Sequence, residues 1–202
     1  MSERSSAGDE DAIRRLIEGW AIWRDTGDFE RLLGAYHSGG RMVTTWFEGP
    51  AEEFVAHSKA AFARGSTSHH VLGGTFVRLA GNRAIAQTRL VLCARGKLEG
   101  CDYDATCWGR FYDFLDYREG RWGIALRQPT YEKDRLDPVD PRRTVAFDSD
   151  LLASFPEGYR HLAYLQTQNG QSVAKGLPGL RGPEIERLYA RGEAWLRGAA
   201  AP

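Results

Sequence analysis

The chain has 202 residues and a mass of 22.6 kDa, enough for one hydrophobic core with an extension and too little for several enzymatic domains. Lys plus Arg number 27 and Asp plus Glu number 27, so the formal net charge is zero and a general electrostatic grip on nucleic acid is excluded. No stretch approaches the roughly 20 apolar residues that cross a bilayer, and Met1 to Asp11 lacks the apolar centre of a signal peptide. Neither nucleic acid nor membrane is expected as a partner. Cys93, Cys101 and Cys107 are odd in number and show no CxxC spacing, which predicts reduced structural thiols and a cytoplasmic protein.

Residues 1–8 read as a frayed tail. Ile13, Ile17 and Ala21 recur every four residues, with Trp20 beside them, and predict a helix over Asp9 to Asp25 that stops near Thr26–Gly27. Asp28 can cap a second helix, Phe29 to Tyr36, followed by a loop at His37 to Gly40. Met42 to Phe47 reads as a short strand and Ala51 to Arg64 as a third helix, with Glu52 and Glu53 suited to its first turn. The period then changes to two. Strands are predicted at His70 to Leu79, Ala84 to Ala94, Tyr103 to Asp116 and Arg121 to about Tyr131. Gly73–Gly74 inside the first of these reads as a bulge or bend.

Helices first and long strands afterwards predict an α+β fold, a curved antiparallel sheet wrapped around three N-terminal helices. Residues 9–135 form that domain. Residues 136–202 form a helical C-terminal extension, with helices expected at Asp150 to Phe155, Tyr159 to Gln166 and Glu184 to Arg197. Its Trp, Tyr and Leu residues need a surface, so it is expected to pack on the barrel, close its mouth or clasp a neighbouring subunit. The absence of net self-repulsion permits a homodimer or homotrimer.

The leading chemical candidates are Asp25 and His70. A carboxylate beside an imidazole fixes its tautomer and raises its basicity, giving a general base near neutral pH. A local turn and a satisfied polar group are the structural alternatives. His69 is a further substrate-binding candidate; it precedes His70, so on a strand the two face opposite sides, and periodicity does not say which faces the cavity. Adjacent histidines diverge, and no HxH, HExxH or Cys cluster occurs, so neither a metal nor a cofactor is expected. Trp108, Arg110 and Tyr112 share one parity of their strand and are candidate cavity residues. Arg110 and Arg127 are candidates for steadying an oxyanion, with sheet salt bridges to Asp104 or Asp113 as the alternative. Thr44, Trp46 and Tyr131 complete the expected substrate wall, with core packing as the alternative.

Three segments carry a resemblance: Trp23–Arg24–Asp25–Thr26–Gly27–Asp28–Phe29, Thr67 to Thr75 with His69–His70 inside it, and Gly120–Arg121–Trp122 before Arg127. In order and separation they resemble the nuclear-transport-factor-like superfamily, in its SnoaL-like branch of cyclases and dehydratases, over about residues 9–135. The likeness to scytalone dehydratase and hexachlorocyclohexane dehydrochlorinase implies a cone-shaped fold with Asp25 and His70 as the base pair. The dehydratase's second pocket histidine falls near Trp108 here. The resemblance extends to formaldehyde-releasing enzymes of lignin-derived aromatic dimers. It implies a cofactor-independent lyase for a small aromatic substrate such as a phenolic diol, acting by formaldehyde release, elimination or dehydration. An isomerase or cyclase, and a non-catalytic ligand-binding protein, are the alternatives.

Overall fold

A computed structural model describes residues 6–200. Helix α1, Ser6–Thr26, already includes part of the stretch read as a frayed tail; the remainder of that stretch, 1–5, lies outside the described residues. Ile13, Ile17, Trp20 and Ala21 form its buried stripe. The helix ends where the Asp28 N–H reaches back to the Trp23 carbonyl at 3.0 Å and Gly27 takes φ +80°, a left-handed cap that costs glycine little. The Asp28 carboxylate then accepts from the Arg31 N–H and caps helix α2, Phe29–Gly34.

The chain turns into a strand sooner than expected. Strand β1 spans Tyr36–Val43, taking in the predicted loop, and β2 is the short Glu48–Pro50. Between them Thr44 Oγ1 accepts from the Trp46 and Phe47 N–H groups, so Thr44 and Trp46 stand in a tight turn rather than in a strand. Helix α3, Ala51–Ala63, follows directly. Strands β3 (Ser68–Ala80), β4 (Arg83–Leu98), β5 (Cys101–Arg118) and β6 (Arg121–Pro138) complete a six-stranded sheet of order β2-β1-β6-β5-β4-β3. The register of β3 against β4 slips between Leu72 and Thr75, which places the expected bulge at Gly73–Gly74. The pairing is antiparallel except between β1 and β6, which run parallel. Those two strands are joined by residues 44–120 rather than by a hairpin, so no turn dictates their direction.

Strands of 16 to 18 residues reach roughly 50–60 Å if straight. That length accommodates two helical layers in tandem on the inner face. At one end α1 and α3 bury Trp20, Phe54 and Val55 against Leu90, Phe111 and Leu115. At the other, the C-terminal segment folds back. Helix α4 (Ser149–Ala153), a 3-10 turn (Glu157–Tyr159) and helix α5 (Arg160–Gln168) bring Phe155, Tyr159, Leu162 and Leu165 onto Tyr103, Ala105, Cys107 and Tyr131. The strap beyond α5 is sewn down by the Ala174 N–H to the Thr45 carbonyl (2.8 Å) and the Tyr131 N–H to the Pro178 carbonyl (2.9 Å).

Helix α6, Pro183–Leu196, covers the outer face instead. Ile185, Leu188 and Trp195 pack on Ile85, Tyr112, Phe114 and Leu126. Trp195 Nε1 lies 3.2 Å from both the Ala84 and Leu115 carbonyls, and the Arg83 guanidinium sits 4.1 Å over its ring. Gly192 permits the close approach: a Cβ there would meet the Tyr112 hydroxyl at 1.9 Å. Gly192→Ala should therefore lift α6 from the sheet and cost about 1–3 kcal/mol, read as a lower urea midpoint, with the inner-face site unchanged. An unaltered midpoint would contradict this packing.

Candidate active site

Asp25 occupies the last turn of α1, where the helix dipole disfavours a carboxylate. Donors from β3 offset that. Asp25 Oδ2 accepts the His70 backbone N–H at 2.7 Å. Oδ1 lies 2.6 Å from His70 Nδ1 and 3.5 Å from the Ser68 hydroxyl. An ionised carboxylate only accepts, so Nδ1 carries the proton and Nε2 is left with its lone pair. Nε2 makes no hydrogen bond among the described residues. The two side chains are 15% and 9% exposed, low enough for the contact to be weakly screened.

Aromatic rings fix the imidazole plane. Trp20 meets it edge-on at 5.4 Å and Phe111 stacks at 6.1 Å. Burial pulls the His70 pKa below 6.5, the Asp25 hydrogen bond and charge oppose that, and Arg24 and Arg127 add to the fall. At neutral pH the ring is therefore neutral and able to accept a proton.

His70, its imidazole held by Asp25 from behind the wall, lines a partly enclosed cleft of about 690 Å³. Its walls include Trp20, Thr44, Trp46, Phe54, Phe111 and Tyr131, and α5 contributes Leu162 and Leu165. Trp46 stacks on Phe54 at 5.8 Å. The Tyr131 hydroxyl is hydrogen-bonded to Thr45, and burial pushes its pKa up, so it remains a neutral phenol. His70, Thr44, Trp46 and Tyr131 thus line one cleft, with Asp25 hydrogen-bonded to the His70 ring.

Other expected residues do not reach the cleft. Trp108, Arg110 and Tyr112 have the outer-face parity of β5; Phe111 and Asp113 have the inner. Arg110 is tied to Glu132 (2.7 Å), Gln87 (2.7 Å) and the Tyr189 hydroxyl (2.5 Å) near α6. Tyr112 packs against Tyr189 and Phe114, and Trp108 lies under Lys133 and Arg135. His69 is exposed, opposite Cys93 in the register and turned away from His70. Alternation defines two faces without saying which one the helices cover, and both faces of β5 carry aromatics.

Arg127 is on the inner side but one layer behind the wall. It forms a bidentate pair with Asp113 at 2.7 and 2.8 Å, and both side chains are fully buried. Its guanidinium lies 3.9 Å from the Phe111 ring centroid and 4.3 Å from that of Trp20. It supports the rings that support His70. Burial pushes the Asp113 carboxyl up, while the Arg127 charge pulls it back.

The reading of the sequence missed Arg24, His57 and Phe54 as lining residues. Arg24 precedes Asp25, and its position in the last helical turn offered a plain dipole explanation that hid it. Among the described residues no three of His, Cys, Asp and Glu are grouped so as to hold a metal ion, and no helix is long and apolar enough to cross a membrane.

A model of the SnoaL-like domain matches residues 5–128. The chain belongs to the SnoaL-like family. A PEP2-like protein and the pea pathogenicity protein 2, both of Fusarium vanettenii, are 33% and 32% identical to it, each covering 92% of this chain and 84% of the relative. That span must take in much of the segment beyond residue 128. Among solved structures, a putative scytalone dehydratase from Novosphingobium aromaticivorans aligns at 14% identity and TM-score 0.54, over 62% of this chain and 85% of that one. A type 2 hexachlorocyclohexane dehydrochlorinase aligns at 11% identity and TM-score 0.57, over 71% and 96%. Both share the NTF2-like cone fold with this SnoaL-like domain.

The Asp113–Arg127 pair can be tested apart from chemistry. Arg127→Met alone strands a buried carboxylate and should cost about 3–5 kcal/mol in urea unfolding, whereas Arg127→Met with Asp113→Leu should recover most of it. Equal losses in the single and double variants would contradict the pairing.

Proposed function

We propose that this SnoaL-like protein is a cofactor-independent lyase acting on a small aromatic substrate. The observation that carries this is the 2.6 Å Asp25–His70 contact in an aromatic-walled cleft. A cleft of about 690 Å³ is in the range that encloses small-molecule ligands. Trp46 and Phe54 offer faces for a ring, and Tyr131 a hydroxyl.

In the proposed reaction His70 Nε2 takes a proton while Asp25 stabilises the imidazolium through Nδ1–H. For a proton on carbon, the C–H electrons form the double bond and a β-leaving group departs with its own pair. For a terminal hydroxymethyl of a phenolic diol, the O–H electrons form the carbonyl of formaldehyde. The broken C–C bond then supplies the alkene as the benzylic hydroxyl leaves with the proton held by His70. With Arg110 bound on the outer face and Arg127 behind Phe111, neither is placed to touch the substrate; Arg127 is a positioning residue for Trp20 and Phe111.

The test is turnover of hydroxylated aromatic diols and β-hydroxy ketones, followed by product mass. Loss of one water, or of one formaldehyde together with one water, supports the lyase. An unchanged mass would indicate an isomerase or cyclase, and turnover of no member would leave a binding protein. His70→Ala and Asp25→Asn should each lower kcat/KM about 10²–10⁴-fold. In the wild type kcat/KM should rise with pH through a value below 6.5 and flatten above it. The same depressed pKa means that the folded state binds the proton less readily than the unfolded chain. Its stabilising contribution is present above about pH 6.5 and is lost as pH falls towards the folded value. Full activity in either variant would contradict the proposal.

A further inference from the structure

Asp25 directs its oxygens to His70 and Ser68, so the neighbouring Arg24 feels its charge without pairing with it directly. Arg24 lines the cleft, half-buried, with its guanidinium 5.9 Å from the Phe54 ring centroid. It makes no hydrogen bond or ion pair with any described residue. The other cations on the cleft wall differ. Arg95 is held by Asp104 at 2.7 Å and Lys97 by Asp102 at 2.7 Å. Arg64, at the exposed rim, is also without an ion-pair partner. The carboxylate among the lining residues is Asp102, which is engaged by Lys97; Asp25, outside the lining, is engaged by His70.

A guanidinium withdrawn from water and left without an acceptor is costly, and the cost is offset when an anion arrives. Arg24 and His70 line the same cleft; burial lowers the Arg24 pKa from 12.5 while the Asp25 charge opposes the fall. A planar guanidinium fits a carboxylate through two parallel hydrogen bonds.

We propose that Arg24 is an anion-binding residue of the cleft and that the substrate taken there is an aromatic carboxylate, its ring against Trp46 and Phe54 and its carboxylate on Arg24. This rests on the lyase reading for the word substrate, but the binding itself does not require turnover. Arg64 at the rim adds charge that draws an anion inward. The same site orients the molecule, because a carboxylate fixed on Arg24 leaves the opposite end of the ring system to be presented elsewhere along the wall.

The experiment compares naphthalene-2-carboxylate with naphthalene-2-carboxamide, two probes of like shape that differ in charge, by calorimetric titration at pH 7.5. The wild-type protein should bind the carboxylate roughly 10–100-fold more tightly, as expected for a charge-assisted pair. Arg24→Gln should erase that preference while leaving carboxamide affinity and the circular dichroism spectrum unchanged, and Arg24→Lys should retain part of it. Asp25→Asn should preserve or increase it, since a negative charge acting on Arg24 is removed. Equal binding of the two probes, binding of neither, or an undiminished preference in Arg24→Gln would overturn the proposal. Active dyad variants together with a carboxylate preference would sink the lyase reading and leave the anion site standing. A dyad that governs turnover without any such preference would do the reverse.

Discussion

A carboxylate at the wrong end of a helix governs this molecule. Asp25 sits at the C-terminal turn of α1, where the partial charge of the helix is negative. It is held there by the His70 N–H, the His70 imidazole and the Ser68 hydroxyl, all from the first turn of β3. The contact joins α1 to the sheet across 45 residues of sequence and sets the imidazole at the same time. Without that joint the helix end would have a destabilising charge and β3 an unpaired donor.

The surrounding layers protect the joint from water. Trp20 and Phe111 clamp the ring, and Arg127 clamps both of them from behind through cation–π contacts while Asp113 neutralises it. The long strands allow α5 and the strap after it to close the far end of the inner face. Helix α6 then covers the outer face, so the sheet is buried on both sides over its β4–β6 portion. A domain of this family without such a C-terminal segment would leave its cleft wider and that outer surface bare.

Much of this was legible in the sequence because local rules decide it. Gly27 ends α1 and so places Asp25; the change from period four to period two after Gly65 places His70 at the head of a strand; Gly73–Gly74 mark the bulge. Which face of β5 looks inward was not legible. Phe111 and Tyr112 are both buried aromatics, and α6, nearly 80 residues downstream, is what buries the second. Arg24 was obscured for a different reason: an arginine in a last helical turn has an ordinary explanation, and only the engagement of Asp25 by other donors shows that it does not pair directly with its neighbour. Strand β1 escaped because its partner, β6, lies about 80 residues away and runs parallel to it.

Nitrogen-15 NMR of the imidazole rings measures the central claim without any substrate. The account predicts that above pH 6.5 His70 is neutral, protonated on Nδ1 and bare on Nε2, and that Asp25→Asn perturbs that signal far more than those of the other histidines. A His70 protonated on Nε2 at neutral pH, or one indifferent to residue 25, would contradict it.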